Sequence, residues 1–136
     1  MTRDDVIALI KECHFGYLAT VDVDNAPCVR PVGMDTVYDD GVYFFTFSNT
    51  RKANEISGNP MVEVAWCKPA DLAQVRIRGK AEPVTDEAVI KRFKGDNPIV
   101  AKVVPSQAEQ LFALYKITPS KVYMTRGLVP YEEVAW

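Results

Sequence analysis

The sequence predicts a mainly β domain whose short antiparallel strands close into a barrel or sandwich, with a few small helices. Three observations carry this. About seven or eight short β-rich runs succeed one another along the chain. Asp39-Asp40-Gly41 stands between two of them, a strong hairpin signal. Val75 and Ile77 alternate with Arg76 and Arg78, as in a strand with one buried face. Open edges on so many strands invite aggregation, which favours closing the sheet. A barrel this small is filled by its own side chains, so a ligand would sit outside it or between subunits.

The elements follow in order. Residues 3–13 read as an amphipathic helix, with Val6, Leu9, Ile10 and Cys13 on one stripe. Thr2 is its expected N-cap, with Asp5 completing a capping box. Strands are predicted at Phe15 to Val21, Pro27 to Val32, Thr36 to Tyr38 and Val42 to Phe47, with the first turn at Asp22-Val23-Asp24-Asn25. Residues 51–57 read as a short helix stopped by Gly58 and Pro60. Met61 to Trp66 and Ala73 to Pro83 are strands. Asp86 to Lys94 is a helix with Thr85 as expected cap, and 98–104 is a further helical piece. Leu111 to Ile117 and Lys121 to Arg126 close the chain as two strands.

The 136 residues amount to one domain, without repeats, linkers or low-complexity tracts. Sixteen basic residues face 18 acidic ones, a formal charge of −2, which argues against nucleic-acid partners and polybasic membrane anchoring. No apolar run approaches a membrane span, and Met1 to Asp5 carries no signal-peptide character, so a cytoplasmic location is expected. Cys13, Cys28 and Cys67 are odd in number and far apart, so they are read as buried thiols rather than disulfide or zinc ligands. His14, the single histidine, cannot build a metal site alone and is read as structural.

One segment breaks a local rule. Where Phe45-Thr46-Phe47 ends and a helix begins, Asn49 or Thr50 is the cap and Arg51 and Lys52 occupy the first turn. Cations there oppose the helix dipole by about 0.3–1 kcal/mol each. An anion would reverse that cost, because free backbone N–H groups point at the same spot. A phosphate group held by amides, a hydroxyl and two cations accounts for the pattern. Arg30, on a neighbouring strand, adds a third cation. Neither glycine-rich nucleotide fingerprint is present, which weakens P-loop and Rossmann readings.

These segments together resemble the pyridoxamine 5′-phosphate oxidase-like FMN-binding split barrels over residues 5–126. Gly16-Tyr17-Leu18-Ala19-Thr20-Val21 with Ala26-Pro27-Cys28-Val29-Arg30-Pro31-Val32 is similar to the family's first hairpin. Thr46 to Lys52 resembles its T-x-x-x-[ST]-R-K phosphate motif, and Gln74-Val75-Arg76-Ile77-Arg78-Gly79 its Q-V-x-[VI]-x-G strand. The resemblance implies a homodimeric, antiparallel split β-barrel holding FMN at the subunit interface. Arg51 and Lys52 would hold the phosphate with the Thr50 hydroxyl. Arg30, Pro31, Val32 and Gly33 would line the ring and ribityl chain, Phe45 and Thr46 would lie at the ring's polar edge, and Gln74 would reach the cofactor from its own strand.

Two departures bear on activity. Asp35 stands where the oxidase proper carries lysine, and the segment that grips pyridoxal phosphate, with its R-x-H-like motif, does not follow. The expected activity is therefore FMN-dependent electron transfer from a reduced nicotinamide to a small acceptor, in the manner of the short nitroimidazole-reductase and general-stress branch, rather than vitamin B6 oxidation. The alternative is a flavin or deazaflavin carrier without turnover. Haem fits poorly, since His14 is the only imidazole. Most of Trp66, Tyr43, Phe44, Phe47 and Tyr123 are read as core or dimer contacts rather than flavin stackers, and Tyr131 and Trp136 as packing or as a cover for the partner's cofactor.

Overall fold

The computed structural model describes residues Met1–Trp136. Helix α1 (Arg3–Cys13) opens the chain under the anticipated capping box of Thr2 and Asp5. Strands β1 (Phe15–Val21), β2 (Pro27–Gly33), β3 (Thr36–Tyr38) and β4 (Gly41–Phe47) lead into α2 (Arg51–Gly58). After β5 (Met61–Lys68) and β6 (Ala73–Pro83) come α3 (Glu87–Asp96), α4 (Ile99–Val103) and a 3-10 turn at Ser106–Leu111. The chain ends with β7 (Phe112–Thr125) and the two-residue β8 (Glu132–Glu133).

All strand pairs are antiparallel, in the order β2-β1-β5-β6-β7-β4-β3, with β8 alongside β7. The sheet curls into a half-barrel but does not close on itself, since β2 and β3 end the path as edges. Its concave side holds one cluster that includes Leu18, Phe44, Val64, Trp66, Ile77 and Met124, capped by Val6, Leu9 and Ile10 of α1 and by Ala53 and Ile56 of α2. The strand period of two drives this assignment: Val62, Val64 and Trp66 point in, and Glu63, Ala65 and Cys67 point out. Trp66 is fully buried, and its indole N–H donates to the Met34 carbonyl at 2.9 Å. A smaller cluster on the other face of β4 joins Tyr43 and Leu114 to Phe93 of α3 and Val100 of α4.

Three expectations need correction. The last two predicted strands are one: β7 pairs with β6 along its length, and the Thr118-Pro119-Ser120 interruption is absorbed by a bulge opposite Arg78/Gly79. Asp86, not Thr85, caps α3, because its carboxylate accepts the N–H groups of Ala88 (2.9 Å) and Val89 (3.4 Å). The cysteines are not buried thiols: Cys67 is exposed by the outward phase of β5, and Cys13 and Cys28 are half-buried. Most of the five aromatics are core residues as expected: Tyr43, Phe44 and Trp66 are buried, and Phe47 packs half-buried against the smaller cluster. No helix is long and apolar enough to cross a membrane.

Candidate functional site

The β4–α2 junction forms as its residues require. Thr50 is extended (φ −90°, ψ 159°) and caps α2, its hydroxyl accepting the Ala53 N–H at 3.4 Å and donating to the Phe47 carbonyl at 2.8 Å. Thr46, buried on β4, brings its own hydroxyl to 3.4 Å from that of Thr50. No acid occupies the first turn of α2. Arg51 there is 80% exposed, touching only Glu55 Oε2 at 3.4 Å. Lys52 is half-buried, and its ammonium is held below the ordinary lysine range, first by burial and then by the charge of Arg30. No carboxylate offsets that pressure. A bound anion would relieve it, which is the sense in which these residues fit a phosphate.

Arg30 has a different place from the one its spacing suggests. Its guanidinium donates to the Thr20 hydroxyl and to Glu55 Oε1, both at 2.7 Å, and to the Leu18 carbonyl at 3.3 Å. Thr20 in turn donates to the same Glu55 oxygen at 2.8 Å. The Glu55 side chain is 7% exposed, and its carboxyl is held below the usual range, chiefly by the Thr20 hydroxyl and then by Arg30, against the opposing effect of burial. Arg30 therefore stands behind the cations of α2, locked by Glu55. Burial, with Glu55 nearby, also pushes the Cys28 thiol up. Sequence reading missed Glu55; its one signal was the i, i+4 spacing from Arg51.

Pro31, Val32 and Gly33 lie on β2, paired on one side with Tyr17, Gly16 and Phe15 of β1 and unpaired on the other. An edge strand keeps backbone groups available to a ligand. Phe45 and Thr46 point to opposite faces of β4: Thr46 toward the α2 cap, Phe45 toward Phe112 and Phe93, with ring centroids at 5.6 and 6.2 Å. Gly33 and Phe45 line one cavity of about 230 Å³. The predicted residues thus form a charged group around Thr46, Thr50, Arg51 and Lys52, and an aromatic group around Gly33 and Phe45. Gln74 belongs to neither: its strand neighbours are Cys67 and Thr125, and its Oε1 accepts from the Tyr131 hydroxyl at 2.6 Å.

The outer face of β1 and β2 is apolar and uncovered, with Phe15 60%, Tyr17 52% and Val29 68% exposed. The C-terminal aromatics pack on their own chain. Trp136 donates to the Asp39 carbonyl at 3.2 Å and carries the Arg3 guanidinium 4.6 Å from its ring, and Tyr131 lies under Arg76 at 4.8 Å.

Two solved structures share this architecture at identities that speak for the fold alone. A NimC/NimA family protein from Clostridium acetobutylicum superposes with a TM-score of 0.81 at 21% identity, over 96% of this chain and 89% of that one. General Stress Protein 26 from Bacillus anthracis str. Sterne gives 0.77 at 21% identity, over 96% of both chains. A pyridoxine/pyridoxamine 5′-phosphate oxidase of Shewanella halifaxensis is 37% identical over 119 residues, 83% of this chain and 56% of the relative. Across the curated relatives the chain spans from about a third to just over half of their length. The family model for pyridoxamine 5′-phosphate oxidase matches residues 2–126, and with the half-barrel and the T-x-x-x-T-R-K junction in place, the chain belongs to that family.

Proposed function

We propose that the chain is an FMN-dependent oxidoreductase of the short single-domain kind, working as a homodimer and passing electrons from a reduced nicotinamide to a small acceptor. The observation that carries this is the first turn of α2: a capped helix start bearing an 80% exposed Arg51, paired only with Glu55 at 3.4 Å, and a half-buried Lys52 that no carboxylate offsets. Thr50 would give the FMN phosphate a hydroxyl, Arg51 and Lys52 would supply the charge, and the Glu55–Arg30–Thr20 network would hold the helix start against β1 and β2. The free edge of β2 would orient the ring. Bound FMN supplies hydride acceptance and electron transfer; the protein supplies position, polarity and exclusion of water.

The homodimer is supported by the Phe15, Tyr17 and Val29 face, since contiguous apolar surface of this kind marks an interface. A second copy there would bring its own residues to the β2 edge, the setting in which Gln74 would approach a cofactor from the other chain. Oxidation of vitamin B6 phosphates is not part of the proposal, because Asp35 stands where the oxidase proper carries lysine.

The test is the visible spectrum of the purified protein before and after FMN, followed by anaerobic NADH or NADPH and a quinone or nitro acceptor. Flavin absorption that bleaches with nicotinamide and returns with acceptor is the expected result. Flavin that binds but never turns over would identify a carrier, and a protein that takes deazaflavin while ignoring FMN would reassign the cofactor.

A further inference from the structure

We propose that the cleft between α2 and the ends of β6 and β7 is a second binding site, for a small uncharged molecule rich in hydroxyl groups, of the monosaccharide or cyclic polyol kind, anchored by the Tyr115 hydroxyl. The cleft, about 520 Å³, exists because β6 outruns its neighbour. β5 starts at Met61, opposite Lys80, whereas β6 continues to Pro83 beside β7 alone. The Ala81 N–H donates to the Pro60 carbonyl at 2.8 Å and closes that end. α2 forms the facing wall with Ala53, Ile56 and Ser57. Arg51 and Glu55, two residues before and after Ala53, are turned about 160° from it around the helix, so they face elsewhere.

The unmet bond in this cleft belongs to Tyr115. Its ring stacks on Phe44, with centroids 5.4 Å apart, and the residue is only 7% exposed. The hydroxyl bonds to no group of the chain, and burial alone pushes its pKa up. A buried phenol normally has a partner, because an unbonded hydroxyl there forfeits its hydration. Tyr115 lines the cleft, so a bound molecule would supply that partner. Ser48, Asn54 and Ser57 surround the opening with exposed, unbonded side chains. All four groups can both donate and accept, as the neighbouring hydroxyls of a sugar or polyol do. Lys80 and Glu82 stand 3.8 Å apart at the rim and offset one another, which favours neither an anion nor a cation. Buried Ala53, Ile56 and Ala81 give the C–H side of such a ring an apolar floor.

The probe is myo-inositol, which carries a hydroxyl on every ring carbon and no reducing end for lysine to attack. Tyrosine isotopically labelled at Cζ reports the bonding of its hydroxyl by NMR, and the Tyr115 signal among the six is the one missing in Tyr115→Phe. Saturable movement of that signal is expected. Inositol affinity, measured by equilibrium dialysis, should fall at least ~10-fold in Tyr115→Phe, which loses one hydrogen bond, and in Ser57→Trp, which fills the cleft from the exposed face of α2. Without inositol, Tyr115→Phe should melt no lower than the wild-type protein, since its hydroxyl has no partner to lose. A silent Tyr115 signal, equal affinity in Tyr115→Phe, or a lower melting temperature for that variant would overturn the proposal. So would equally tight binding of cyclohexanol, whose lone hydroxyl would make the cleft an apolar one, and competitive displacement of inositol by FMN, which would give the cleft to the cofactor. Inositol that still binds the FMN-saturated protein keeps the two sites apart and supports the proposal.

Discussion

The buried carboxylate of Glu55 governs the site at the scale of single residues. Its folded pKa lies below its ordinary 4.5, so it contributes stability that is present above that value and is lost as pH falls through the lower, folded one. The melting temperature should therefore drop on acidification below about pH 4.5. In Glu55→Gln it should start lower and depend less on pH, because the titrating group is gone. An identical acid profile in the two proteins, followed by circular dichroism, would contradict this role. Thr50→Ala removes a cap and should cost about 1 kcal/mol, a melting shift of several degrees. The cations of α2 and the Thr50 cap were legible in the sequence because both obey local rules. The Arg30–Glu55–Thr20 lock was not, since its members sit on three different elements and meet only when α2 packs across β1 and β2. For the same reason Arg30 reads from sequence as a free cation and is in fact a paired one.

At the scale of elements, each strand with a strict period of two stood where the sequence put it, as did α1 with its capping box. Hairpins and caps are local chemistry and need no knowledge of the whole fold. The end of the chain was misread because Thr118-Pro119-Ser120 carries turn residues, and proline also marks bulges. The structure keeps β7 continuous by letting Gly79 lie against it: a Cβ at that position would come within 2.1 Å of the Thr118 carbonyl oxygen. Gly79→Ala should thus destabilise the protein by about 1–3 kcal/mol, read from chemical denaturation, since backbone must shift to admit one methyl group. Unchanged stability would show that the bulge has room to spare. The two-residue β8 and the 3-10 turn left no periodic trace because both are shorter than any repeat that could announce them.

The whole molecule is an open half-barrel with two exposed edges, an apolar outer face and a charged helix start. Composition and strand density foretold the mainly β class; they could not foretell the strand order, or that β2 and β3 remain apart, because pairing between distant strands is decided by the shared core. If the outer face of β1 and β2 is the subunit contact, Tyr17→Glu should shift the protein from dimer to monomer in sedimentation and weaken FMN binding with it. A monomeric variant that still binds FMN at full strength would separate the two properties. The central claim concerns the phosphate, and an FMN titration of the wild-type protein against Arg51→Ala/Lys52→Ala tests it most directly. Two charge-assisted hydrogen bonds at about 1.5–3 kcal/mol each predict at least a ~100-fold loss of affinity with the fold unchanged. Equal affinity in the two proteins, or no binding by either, would contradict the assignment of this helix start to the cofactor.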